Sequence, residues 1–146
     1  IPVIDESRPW IRTDDMNPWM TSKKTQPIEF SQINNMVIDS NFEAEFSQHL
    51  ERLSSNGKIL SWVKNDHLGF KIWYVFKGEI KTYYPDFIIK IDEENFLIIE
   101  TKGIKKDQDE FKWNATKEWV IAVNNGDFAN WKFETVLTKE DFNKIL

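Results

Sequence analysis

The stretch from Tyr84 to Gly103 constrains the fold more than any other part of the chain. Phe87-Ile88-Ile89-Lys90-Ile91 and Phe96-Leu97-Ile98-Ile99 are β-branched and aromatic runs of strand length, and Asp92-Glu93-Glu94-Asn95 between them is a polar turn. The pattern predicts an antiparallel hairpin that carries Asp86, at the head of its first strand, back beside Glu100 at the end of its second. Side chains alternate faces along a strand, so Glu100 and Lys102 share one face and Thr101 takes the other. Two carboxylates a few ångströms apart repel unless a cation lies between them, and an all-oxygen set of this kind suits a hard ion such as Mg²⁺. The lysine is out of place in a purely metal-holding site but fits one where a phosphate is attacked. The same residues also fit a plainer arrangement, an edge strand opened by Pro85 with an exposed Glu100/Lys102 pair.

The flanking segments place this hairpin in a larger architecture. Ser40-Asn41-Phe42-Glu43 has the form of a capping box, Phe42, Phe46, Leu50 and Leu53 recur at helical spacing, and Asn56-Gly57 ends the element. A helix over 40–56 is predicted. Strands are expected at 59–63 and 70–76 and, after a turn at Lys77-Gly78-Glu79, from Ile80 through Asp86 to Ile91. Residues 107–118 read as a second helix with Phe111, Ala115 and Trp119 facing inward, followed by a buried strand at 119–123 with Trp119 in the core. A strand at 131–137 and a helix at 139–146, capped by Thr138, close the chain. Residues 1–36, with Pro2, Pro9, Pro18 and Pro27 and the lone aromatics Trp10 and Trp19, read as an extended lead-in anchored by its tryptophans. Asp14-Asp15 within it reads as a solvated turn. The order predicts one α/β domain over 1–146, with 37–146 forming a mixed central sheet flanked by helices on both faces.

Charge and composition limit the functions open to such a domain. Seven Trp and eleven Phe in 146 residues support a packed core, and the absence of cysteine removes disulfides and thiolate metal sites and agrees with a reducing, cytoplasmic setting. No stretch approaches the length of a membrane span. Nineteen basic residues against twenty-four acidic ones give a formal charge of −5, where a nucleic-acid binder normally shows a basic face. Lys105-Lys106, Lys112 and Lys117 are modest clusters, so if the domain acts on a nucleic acid it is expected to hold it poorly alone and to lean on a partner. The chain opens at Ile1 without methionine, which fits a processed product or a piece of something larger.

Tyr84-Pro85-Asp86 with Glu100-Thr101-Lys102-Gly103, set in this element order, resembles the PD-(D/E)XK nuclease superfamily. Its core has a helix, a three-stranded meander bearing the acids and lysine, a second helix and a fourth strand. Within it the chain is similar to the C-terminal endonuclease domain of type III restriction (Res) subunits. The similarity runs over roughly residues 20–135 and is carried by Ile33 to Ser40, Phe42-Glu43, Val63 to Asp66, Ile72 to Tyr74, Tyr84 to Phe87, Glu100 to Gly103, Lys112, Ala115, Trp119 and Ala122-Val123-Asn124. Phe42 stands where usual members have Trp. The resemblance implies a Mg²⁺-dependent endonuclease, with Mn²⁺ as substitute, hydrolysing double-stranded DNA. In that role Asp86, Glu100 and the Thr101 carbonyl would be metal ligands, and Lys102 would assist the attacking water or offset charge on the phosphate.

Glu43 matches an extra acid that related nucleases place on the first helix, although a capping box alone also explains it; Glu45 is the fallback. Lys112 fits either a phosphate contact or a solvated helix face. His49 and His67 are isolated, and structural or surface roles suit them better than base catalysis. The chain has no helicase motifs, so the implied ATP-driven motor would lie upstream and a modification or specificity subunit would be a partner. A second expectation is a non-cleaving nuclease-like module that docks DNA or a larger motor. A third is a phosphodiesterase acting on RNA or nucleotides.

Overall fold

The computed structural model describes residues 12–146; Pro2, Pro9 and Trp10 of the expected lead-in lie outside them. Two short strands, β1 (Thr25–Pro27) and β2 (Asn35–Val37), precede helix α1 (Asn41–Ser55) and strand β3 (Ser61–Lys64). Strands β4 (Ile72–Phe76), β5 (Glu79–Tyr83), β6 (Phe87–Lys90) and β7 (Asn95–Thr101) follow. Helix α2 (Asp107–Asn125), strand β8 (Asn130–Val136) and helix α3 (Lys139–Lys144) complete the chain. The fold is mixed α/β. Its central sheet has the order β3-β6-β7-β8, antiparallel except for the β7/β8 pair, while β1-β2 and β4-β5 form separate two-stranded ribbons. The parallel pair exists because α2 returns the chain across the sheet, the crossover such pairing needs.

Two layers cover the sheet. On one face Phe46, Leu50 and Leu53 of α1, with Phe142 and Ile145 at the C-terminus, pack on Phe87, Ile89, Leu97, Ile99 and Val136. The other face carries Phe96 and Trp131, whose rings stack 4.7 Å apart, and Trp119 of α2 meets Trp131 edge-on. Over α2 lies the β4-β5 ribbon, its inner Ile72, Tyr74 and Tyr83 packed against Ala115 and Trp119. Helices on both faces are therefore present, as the element order predicts. No helix among the described residues is long and apolar enough to cross a membrane.

Three expectations need correction. The predicted single strand from Ile80 to Ile91 is two strands in different sheets, because buried Pro85 lacks an N–H for a ladder and restricts Tyr84 before it. The turn before it forms as expected, with Lys77 and Gly78 both at positive φ, the geometry of a two-residue hairpin loop. Residues 119–123 are not a strand but the last turns of the 19-residue helix α2. A short apolar run does not distinguish the two states, and here Trp113, Thr116, Trp119 and Val123 follow helical spacing while Ile121 is exposed. Trp119 is half-buried rather than interior, and Phe111 is turned outward, 51% exposed.

Candidate functional site

The break at Pro85 sets Asp86 at the head of β6. Phe87 pairs with Ile99, so Asp86 stands one step beyond, at the level of Glu100. Asp86 Oδ2 accepts hydrogen bonds from the Thr101 N–H and the Thr101 hydroxyl, each at 2.8 Å. Glu100 is only 5% exposed and points to the α2 face, where its Oε2 accepts from the Tyr83 hydroxyl at 2.8 Å. Burial, then the negative charge of Asp86, push the Glu100 carboxyl up to about 8; Tyr83, Lys102 and Lys112 oppose the rise. Burial and the neighbouring Glu100 carboxylate raise the Tyr83 phenol as well, so it acts as a donor.

Lys102 follows on the same side as Glu100. Its ammonium lies 3.2 Å from Oδ1 of Asp109, a carboxylate with no exposed side-chain surface at the start of α2. Lys112 approaches the same oxygen at 3.6 Å and sits over the Tyr83 ring. Burial works against ionisation of Asp109, but the Lys106 N–H at 2.7 Å and the two ammoniums outweigh it and hold the carboxyl below its usual range. Glu100, Tyr83, Lys102, Lys112 and Asp109 thus form one network on the α2 face.

Glu43 is buried on the other helix. Ser40 caps α1 by accepting the Glu43 N–H at 3.1 Å, but the Glu43 carboxylate does not complete a capping box: its Oε2 lies 3.2 Å from the Lys64 ammonium. Lys64 is itself buried and also donates to Val37 O and to Asp39. Burial, then the charge of Asp86, raise the Glu43 carboxyl to about 7, against the pull of Lys64. Asp86 therefore presses on acids from two directions, Glu43 and Glu100.

The donor set suits a hard cation in part. Asp86 and Glu100 each spend one oxygen on a protein donor, leaving Oδ1 and Oε1 for a ligand, and their mutual repulsion favours a positive charge between them. No three His, Asp or Glu side chains among the described residues converge into a ready metal cluster. Glu43, directed at Lys64, is not assembled with the other two, so a third protein ligand would be the Thr101 carbonyl. Glu100 and Thr101 are buried, and Asp86 and Lys102 are half-buried, so the group is sunk beneath the ribbon and α2.

The remaining candidates are dispersed. Glu45 pairs with Lys139 on the surface. His49 packs against the Phe46 and Phe142 rings, and burial lowers its pKa. His67 stacks on Trp19 at 3.8 Å and contacts Asp66, while Asp14 pairs with Arg12. Tyr83, Asp109 and Lys64 were missed by sequence reasoning. Lys64, a cation ending the apolar Trp62-Val63 run, was the one with a visible signal, since a buried lysine requires carboxylate partners. Compared with models of known protein families, with curated proteins and with solved structures, the chain matches none.

Proposed function

We propose that this is a metal-dependent endonuclease domain with a restriction-endonuclease-like core, hydrolysing phosphodiester bonds in double-stranded DNA. On this reading it is the cytoplasmic cutting module of a type III-like restriction enzyme, served by an upstream helicase motor and a specificity subunit. The observation that carries the reading is the convergence of Asp86 and Glu100 from adjacent antiparallel strands, with Lys102 two residues on and on the Glu100 side. A purely structural salt-bridge network has no need of two repelling carboxylates at one level of a sheet.

Asp86, Glu100 and the Thr101 carbonyl would hold Mg²⁺ or Mn²⁺. Such an ion, when bound, polarises a phosphoryl oxygen and acidifies a water, the chemistry that phosphodiester hydrolysis needs. Thr101 locks the Asp86 carboxylate, and Tyr83 locks Glu100 with one oxygen free. Asp109 holds the Lys102 ammonium at the end of β7, so Lys102 would serve as a fixed positive charge beside the phosphate rather than as a base. Glu43, tied to Lys64, stands apart from this set and feels Asp86 only as a neighbouring negative charge.

The test is nicking of supercoiled plasmid in Mg²⁺ and Mn²⁺. Wild type is expected to cut, while Asp86→Ala and Lys102→Ala keep their circular-dichroism spectra and lose cutting by at least about a hundredfold, the scale of one lost electrostatic group. Cutting by either variant at the wild-type rate rejects the assignment. A second reading, a non-cleaving docking module, draws on the clamping of Lys102 by Asp109 and of Glu100 by Tyr83, which also serves stability alone. Calorimetric titration with Mn²⁺ separates the two: heat that vanishes in Asp86→Ala supports the endonuclease, and no binding supports the module.

A further inference from the structure

One open hollow among the described residues lies away from the acids. A cleft of about 880 Å³ opens on the α2 side of the sheet, over Val63 and Ile88. Its wall is aromatic: Phe70 meets Trp119 edge-on at 5.1 Å, Trp119 meets Trp131 edge-on at 5.3 Å, and Phe96 stacks on Trp131. All four rings are half-buried, braced by one another with part of each left to solvent.

The charge around this wall is the reverse of the chain's own. Arg12, Lys71 and Lys90 line the cleft, against the single acid Asp14, in a protein of formal charge −5. Arg12 pairs with Asp14, and Lys90 with Glu93, but these pairs are exposed and of little worth, so an incoming anion can replace them. Lys71 is exposed.

We propose that this cleft is a binding site for an unpaired nucleic-acid strand, with bases stacked on the aromatic wall and phosphates on Arg12, Lys71 and Lys90. Flat rings beside cations are what single strands require, since each base offers a π-face and each nucleotide a negative charge. A duplex hides its base faces within its own stack, an apolar peptide leaves the cations unused, and an acidic peptide leaves the rings unused. The site goes beyond the proposed cutting chemistry and stands whether or not the acids cut. It is nonetheless placed to serve them: Phe96 and Glu100 share one face of β7, four residues and about 13 Å apart along the strand.

The test is fluorescence anisotropy of a short labelled oligothymidylate on the full chain, in EDTA so that no cutting intervenes, alongside tryptophan quenching. Binding is expected to quench tryptophan emission and to weaken with salt. In Lys71→Ala/Lys90→Ala, affinity should fall about tenfold and the log–log salt slope should shrink by about 1.4, two phosphate contacts' worth. Trp131→Phe should keep the affinity within about threefold while losing much of the quenching, because a phenyl ring still stacks. No binding, binding indifferent to the two lysines, or uptake of an apolar dye that the oligonucleotide does not displace would each overturn the proposal, the last marking a seat for an apolar segment. A wild-type chain that binds the oligonucleotide but nicks no plasmid in Mg²⁺ or Mn²⁺ would refute the endonuclease reading and leave this one standing.

Discussion

The two faces of the central sheet are built from the same strands yet obey different physics. Towards α1 and α3, Phe87, Ile89, Leu97 and Ile99 meet Phe46, Leu50 and Phe142 in a dry, close-packed layer. Towards α2, the end of β7 supplies Glu100 and then Lys102, which meet Tyr83, Asp109 and Lys112 in a network of ions and hydrogen bonds. One side is held by area removed from water, which is insensitive to pH. The other is held by groups whose charge depends on their neighbours, and it lies where a ligand's charge can alter the balance. The difference shows how a single strand presents an apolar and an ionic face by alternation alone.

The sharpest way to break this comparison is to damage the dry face. Phe46 is fully buried, so Phe46→Ala is expected to cost about 3–5 kcal/mol in chemical denaturation. Its effect on Mn²⁺ affinity, measured under conditions where the variant stays folded, should be slight; a large loss there would mean that the two faces are not separable.

The wet face is sharpened by pH. Glu43 and Glu100 rise from ordinary values near 4.5 to about 7 and about 8, so the folded state binds protons more tightly than the unfolded chain. Their contribution to stability is therefore complete below about pH 4.5 and is lost as pH rises through about 7 to 8. On the proposed reading a divalent cation between Asp86 and Glu100 would replace the lost protons, so Mn²⁺ should raise Tm more at pH 8 than at pH 5. In Glu100→Gln this difference should largely vanish. An equal Mn²⁺ effect at both pH values would count against carboxylate ligation.

The smallest expected effect lies outside both faces. Glu45 pairs with Lys139 on the exposed surface, so Glu45→Ala should change stability by no more than about 0.5 kcal/mol and leave Mn²⁺ binding intact. A loss of binding there would move the site to the outer side of α1.

Much of this architecture was legible in the chain. The α1 helix was visible in the spacing of Phe46, Leu50 and Leu53 behind Ser40, and the β6-β7 hairpin in its alternation about Asp92 to Asn95. The proximity of Asp86 and Glu100 followed from counting residues around that turn. The break at Pro85 was written in the sequence, but one strand was read straight through it from Ile80 to Ile91. The helical state of residues 119–123 was misread because a five-residue apolar run fits a buried strand as well as a helix.

Local pattern by itself determined helix α1, the β6-β7 hairpin, its register and therefore which acids meet, because those depend on alternation and turn chemistry within some twenty neighbouring residues. Only the tertiary structure decided what those acids face. That Asp109 captures Lys102, that Lys64 takes Glu43 away from its cap, that Tyr83 covers Glu100, and that an aromatic cleft opens beside Trp119 all depend on how α1, α2 and the β4-β5 ribbon dock. Burial and pairing of charge are properties of three-dimensional neighbours, and in this chain those neighbours lie on different elements, as Lys64 of β3 with Glu43 of α1 and Tyr83 of β5 with Glu100 of β7.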